Sequence, residues 1–273
     1  MSASTVLVIG ATGKQGGATA NALLNRGFRV RALTRNIRSP AATRLSDKGI
    51  EVVRGDLSDK SSLISALEGI TVAYFMTDSS IGVEGEIAQG RGFIAALQEA
   101  SVERVVYSSA HSADRTASIG GVPHWDSKLV IEGHLKASDL KWTILRPVSF
   151  MENVPLGGVA RYMALGSFSA ALGGPHIKMQ VVSSQDIGFI AAKAIAESEV
   201  FIGQTIDIVG DDVSVADMQK AFQTVAGHKV TRAPMPRWLI MMMVPYVLSM
   251  NSLACGGANL FMRVGTSLRN FSR

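Results

Sequence analysis

Glycines at 10, 13 and 16 interrupt the stretch Val6 to Gly16, VLVIGATGKQG. The β-branched run Val6 to Ile9 suits a strand buried on both faces of a parallel sheet, and an amphipathic stretch with Ala18, Ala20, Leu23 and Leu24 follows. Strand, glycine turn and helix are the context in which such a triplet binds a dinucleotide. Gly10 permits the sharp turn, Gly13 leaves the backbone bare for a pyrophosphate, and Gly16 lets the helix pack close to the strand. The helix N-terminus then offers N–H groups and a positive dipole end to phosphates. The G-x-x-G-x-x-G spacing is one residue wider in its first gap than the commonest dinucleotide signature. A glycine turn without a ligand is the plainer alternative.

Four further groups follow apolar runs. Thr34-Arg35-Asn36-Ile37-Arg38 has no Asp or Glu to accept from a ribose 2′-hydroxyl, and Arg35, with Arg38 nearby, suits a 2′-phosphate. A solvated surface arginine is the alternative. In Gly55-Asp56-Leu57 the carboxylate can meet an adenine amino group and Leu57 can pack on the ring; equally, Asp56 can simply begin a turn. Met76-Thr77-Asp78 and Ser108-Ser109-Ala110-His111 end two later runs.

The elements that must position these groups alternate. Strands are expected over 29–34, 51–54, 71–75, 104–108 and 142–146. Helices are expected over 41–48 (Ser39 cap, Pro40 first), from a Ser58 or Asp59 cap to Glu68, over 83–100 and over 125–138. Such alternation gives right-handed crossovers and a doubly wound parallel α/β sheet, whose ligands bind beyond the carboxyl ends of the strands. After Arg146-Pro147 the alternation loosens. A helix over 161–172, a strand over 179–182, a helix over 186–197, a strand over 204–209 and a helix from a Ser214/Asp217 capping box to Ala226 are expected to make a smaller C-terminal lobe. The division is expected near residue 150: 1–150 for the dinucleotide, rejoined by parts of the later chain, and 151–273 for substrate or interaction.

The chain has 273 residues, 47% hydrophobic and 18% charged, enough for a packed core. Its single cysteine, Cys255, excludes an internal disulfide and a cysteine metal site. With no room for a signal peptide before the first strand, a cytoplasmic protein is expected. The net charge of +5 is concentrated after His228, where Lys229, Arg232, Arg237, Arg263, Arg269 and Arg273 stand with no acid. The main body is close to neutral, and a nucleic-acid surface is not indicated. Trp238 to Met250, broken by Pro245, is too short for a membrane span; burial as a lid or dimer contact is expected ahead of an anionic membrane surface.

VIGATGKQGG, RALTRN, VVRGDLSD, VVYSSA, H-x-x-x-K and RPVSFMEN, in this order between Val6 and Val230, resemble the NmrA-like group of atypical short-chain dehydrogenase/reductases. The resemblance implies an NADP(H)-binding Rossmann domain with a smaller C-terminal lobe, and no metal site is expected. It also implies a cofactor site lined by Gly10, Ala11, Thr12, Gly13, Lys14, Gln15, Gly16, Arg35, Asn36, Asp56, Leu57, Thr77, Lys128, Phe150, Met151, Glu152 and Asn153. Some such proteins are reductases; others bind the cofactor without turnover and regulate partner proteins.

Typical short-chain reductases carry a catalytic Tyr with a Lys four residues later, on one helix face. Here the pair is His124 and Lys128. An imidazole is a competent proton donor near neutral pH, so His124 can replace the phenol, or only cap the helix; His111 is a second candidate. The expected function is NADPH-dependent reduction of a small carbonyl, quinone or imine. The alternative is an NADP(H)-sensing regulator acting through a protein partner. A homodimer is compatible with either.

Overall fold

The computed structural model describes residues 4–111 and 123–239. The side chain of His124 and the apolar, cationic segment from 240 onward lie outside the described residues, and with them the donor assigned to His124 and the placing of the tail. The described chain forms two compact units. One takes the chain up to Pro147 and again Ser184–Asp207; the other takes Val148–Ser183 and the chain from Ile208 on.

In the first unit, strands β1 (Thr5–Ile9), β2 (Arg29–Thr34), β3 (Glu51–Arg54), β4 (Val72–Phe75), β5 (Arg104–Ser108), β6 (Lys141–Pro147) and β9 (Thr205–Ile208) form one sheet in the order β3-β2-β1-β4-β5-β6-β9. Pairing is parallel, with Val6 opposite both Val30 and Val72. At the far edge, Gly203 N donates to Trp142 O and Ile144 N donates to Gln204 O, the stagger of a further parallel strand. The central strands are apolar without alternation because helices cover both faces. Strand order reverses between β1 and β4. At that point neighbouring crossovers leave in opposite directions and open a crevice at the carboxyl ends.

Helices α1 (Lys14–Asn25), α2 (Pro40–Ser46), α3 (Lys60–Leu67), α4 (Val83–Glu99), α5 (Pro123–Lys136) and α7 (Ser184–Ala196) flank the sheet. Local chemistry sets their ends. Ser39 Oγ accepts from Ala42 N at 3.2 Å ahead of Pro40, and Asp59, rather than Ser58, caps α3 through Ser61 N and Ser62 N. On one face Phe75 stacks on Tyr107 at 4.5 Å and meets Phe93 at 5.0 Å, within a core that includes Leu7, Leu97, Ile131 and Ile144. Burying each such side chain contributes about 1.5–3 kcal/mol. On the other face α7 packs on α1 so closely that a Cβ on Gly188 would lie 2.5 Å from the Ala18 carbonyl carbon. The helix and strand expected among the pieces of the later lobe, over 186–197 and 204–209, thus return to the large sheet.

The second unit has a three-stranded sheet, β10 (Asp211–Ser214), β8 (Lys178–Val182) and β7 (Ser149–Phe150), in that order. Helices α6 (Gly158–Leu172) and α9 (Val215–Ala226) belong to it; the short helix α8 (Ser198–Phe201) belongs to the first unit. Leu165, Leu172, Met179, Val181, Val215 and Val230 make its core. The capping box is present: Ser214 Oγ accepts from Asp217 N and Asp217 Oδ2 accepts from Ser214 N at 2.9 Å.

Candidate functional site

The loop between β1 and α1 is built by its glycines. Gly10 takes φ +74°, and Gly13 N donates back to Gly10 O at 2.9 Å. A Cβ on Gly16 would stand 2.3 Å from Gly10 O and 2.8 Å from Ala11 N, both rigid backbone atoms. Gly13 is the N-cap of α1 in an extended conformation, and no side chain caps the helix. Thr12, Gly13 and Lys14 are exposed and Ala11 is buried. The cradle therefore fits a pyrophosphate: its backbone is bare and its helix terminus is not covered by a cap. Gln15 behaves differently. Its side chain is buried, and Nε2 donates to the Tyr74 hydroxyl at 2.7 Å and to Ser108 Oγ, tying α1 to β4 and β5. Burial pushes the Tyr74 phenol up to about 12 despite hydrogen bonds from Ser108, Thr19 and Gln15.

Around this cradle lie the loops that follow β2, β3 and β4. Arg35 is exposed. Asn36 Oδ1 accepts from Arg38 N at 3.0 Å, which shapes the loop carrying both cations. Asp56 Oδ1 accepts from Ser58 N at 2.8 Å, so the carboxylate does begin a turn, and half-buried Leu57 rests on the core. Asp78 is held below the ordinary carboxylate range, first by Ser80 Oγ and Ser80 N, with smaller contributions from the Arg35 and Lys128 charges.

Thr77 and Lys128 meet on a residue that the sequence did not single out. Glu86, in the first turn of α4, is fully buried. Its Oε1 accepts from Thr77 Oγ1 at 2.6 Å and from Lys128 Nζ at 2.8 Å; its Oε2 accepts from Ser127 Oγ. Lys128 Nζ also lies 3.5 Å from Thr77 Oγ1. Burial pushes the Glu86 carboxyl up, but the Lys128 ammonium and the hydrogen bonds from Lys128, Ser127 and Thr77 outweigh it and hold the group below its usual value. A signal for Glu86 does exist in the sequence: it shares the helical row of Gly90, Phe93 and Leu97, so it is a carboxylate on a core-facing stripe.

A second buried carboxylate, Glu132 on α5, accepts Arg146 Nε at 2.9 Å, Arg146 Nη2 at 2.6 Å and Ser109 Oγ at 2.6 Å, pinning the end of β6 and the loop after β5. His111 is buried in that loop: its N donates to Pro147 O at 3.0 Å, and its Nδ1 lies 3.1 Å from Asp207 Oδ1. Tyr107 is buried in the core, and burial pushes its phenol up, so it does not replace the missing tyrosine. Position 124 falls within α5. Phe150 to Asn153 belong to the second unit, as the end of β7 and a 3₁₀ turn over Met151–Asn153, with Met151 and Asn153 exposed. Among the described residues no cluster of His, Cys, Asp or Glu could hold a metal, and no helix is long and apolar enough to cross a membrane.

The sequence profile of the NmrA-like family matches residues 2–255. The chain belongs to the NmrA-like family. One relative, the NmrA-like family domain-containing oxidoreductase hkm9 of Aspergillus hancockii, is 29% identical over 253 residues, 85% of this chain and 76% of that protein. Among solved structures, triphenylmethane reductase of Citrobacter sp. complexed with NADP(H) superposes with a TM-score of 0.76 at 20% identity, covering 97% of this chain and 94% of the other. NmrA, a negative transcriptional regulator in complex with NADP, gives 0.77 at 18% identity, covering 100% and 92%. At these identities the likeness is one of fold, and this NmrA-like chain shares that fold with a reductase and with a regulator.

Proposed function

We propose that this NmrA-like chain binds NADP(H) and is an oxidoreductase, a reductase of a small carbonyl, quinone or imine. The observation that carries this reading is the bare glycine cradle at the switch point of the sheet, with Arg35 on the next loop and Lys128 on α5. Gly10 to Gly16 would hold the pyrophosphate, Arg35 the 2′-phosphate, Asp56 and Leu57 the adenine, and Thr77 and Lys128 the nicotinamide ribose. The second unit would serve substrate or partner. When bound, NADPH supplies the hydride.

The protein's own task is the proton. A carbonyl oxygen that gains negative charge needs a donor as the charge forms, and general-acid help is worth roughly 10²- to 10⁴-fold. His124 takes the position of the usual tyrosine, one helical turn before Lys128. Quinones and imines ask less of such a donor than ketones, so slow turnover of those acceptors is expected. The regulator reading is favoured by one feature: both described tyrosines of the sheet, Tyr74 and Tyr107, are buried in packing. The deciding experiment follows NADPH absorbance with a panel of quinones, imines and ketones beside a binding titration. Acceptor-dependent oxidation supports the enzyme; tight binding with every acceptor untouched supports the regulator.

A further inference from the structure

Lys128 is not a free cation on the surface of α5. It is 12% exposed, and its ammonium is matched at 2.8 Å by a carboxylate with no exposure at all. An isolated charge at such depth would be strongly unfavourable, so a buried carboxylate has to be paired and hydrogen-bonded. Glu86 meets that demand with three donors, Thr77 in the loop after β4 and Ser127 and Lys128 on α5. A carboxylate held from three directions has little rotational freedom, and the lysine that reaches it inherits that restriction. Thr77 fixes the Oε1 side, so Nζ is drawn toward the carboxyl end of β4, where the strand loops converge.

We propose that Glu86 is the positioning residue for Lys128: it orders the ammonium at the cofactor site before ligand arrives and balances its charge. This proposal rests on the NADP(H) reading above and deepens it. It also gives Lys128 a definite character. With a buried anion beside it, the ammonium acts as an oriented hydrogen-bond donor, and its field on groups further into the site is weakened. That agrees with a helix that carries no tyrosine for a lysine to activate.

The test separates positioning from general weakening of the fold. NADPH and adenosine 2′,5′-bisphosphate share the adenosine and its 2′-phosphate, but only NADPH has the nicotinamide ribose. Calorimetric titration of the parent, Glu86→Gln, Lys128→Met and the double variant with both ligands is the experiment. The expected result is NADPH affinity lower by on the order of 10-fold in Glu86→Gln, with the bisphosphate unchanged. Lys128→Met should lose at least as much, and adding Glu86→Gln to it should remove nothing more. Equal weakening of both ligands, additive losses in the double variant, or an unaltered Glu86→Gln would each overturn the proposal. A parent that binds the bisphosphate but gains nothing from the nicotinamide half would overturn it while leaving the glycine cradle standing. A parent that binds neither ligand would overturn the NADP(H) reading and the proposal together. Should Glu86→Gln fail to fold, Ser127→Ala removes one hydrogen bond from the same carboxylate; selective loss of NADPH affinity supports positioning, and no loss overturns it.

Discussion

A β-carbon on residue 16 would stand 2.3 Å from the carbonyl oxygen of Gly10. The contact joins the first turn of α1 to the first residue after β1, so neither side can yield without moving helix or strand. Gly16→Ala is therefore expected to destabilise the protein by about 1–3 kcal/mol, as overpacking does elsewhere, and to weaken NADPH binding at least as strongly as any side-chain substitution in the loop. Thermal melting and a binding titration on the same preparation check both parts. An alanine variant with unaltered melting and affinity would show that the loop opens more readily than its geometry implies.

The loop after β2 offers Arg35 and no acid. A charged hydrogen bond to a 2′-phosphate contributes about 1.5–3 kcal/mol, which corresponds to a preference for NADPH over NADH on the order of 10- to 100-fold. Arg35→Glu should abolish it. Calorimetry with both cofactors is the measurement, and equal affinities in the parent would remove the assignment.

Two histidines are candidates for the proton donor. His124→Ala is expected to lower kcat with ketones by on the order of 10² while NADPH affinity is retained. His111 is held by Pro147 O and Asp207, and His111→Ala is the comparator. Steady-state kinetics of both variants decide between them: a His124→Ala enzyme as fast as the parent, beside a slow His111→Ala, would transfer the role to His111.

Glu86 predicts how stability responds to acid. Its folded-state pKa lies below its ordinary value of 4.5, so the unfolded chain takes up this proton first. The contribution is complete above about pH 4.5 and is lost as pH falls through the folded value. Denaturant midpoints between pH 7 and pH 3 should fall less steeply in Glu86→Gln than in the parent.

Tyr74 makes the opposite prediction in alkali. Its phenol is pushed up to about 12 from 10.0, so the unfolded chain ionises first and stability is lost as pH rises above 10. Ultraviolet titration should show Tyr74 and Tyr107 ionising only as the chain unfolds, and Tyr74→Phe should reduce the alkaline loss. Early ionisation of all four tyrosines with the fold intact would contradict this.

What could be read from the sequence is what short-range chemistry determines. Ser39-Pro40, Asp59 and Ser214 with Asp217 act within one turn, and the glycine triplet acts within one loop, so each was visible in a few residues. The lysine was visible too, but its carboxylate was not: Glu86 lies 42 positions from Lys128 and only the packing of α4 on α5 brings them together. The same holds for Gln15, whose residue type suits a cofactor loop but whose side chain turns inward to Tyr74, 59 positions away. Asp211–Ser214 has little preference for a strand and becomes one through antiparallel pairing with Lys178–Val182.

The return of Ser184–Asp207 to the large sheet has a consequence for biosynthesis. When the ribosome has made the chain as far as Pro147, six strands exist, but the face of α1 that Gly188 will approach is still bare. The helix that presents its N-terminus in the glycine loop thus waits on a segment encoded well downstream. A fragment ending at Pro147 would carry every residue of the loop and yet expose Ala18 and its neighbours to water and to other nascent chains.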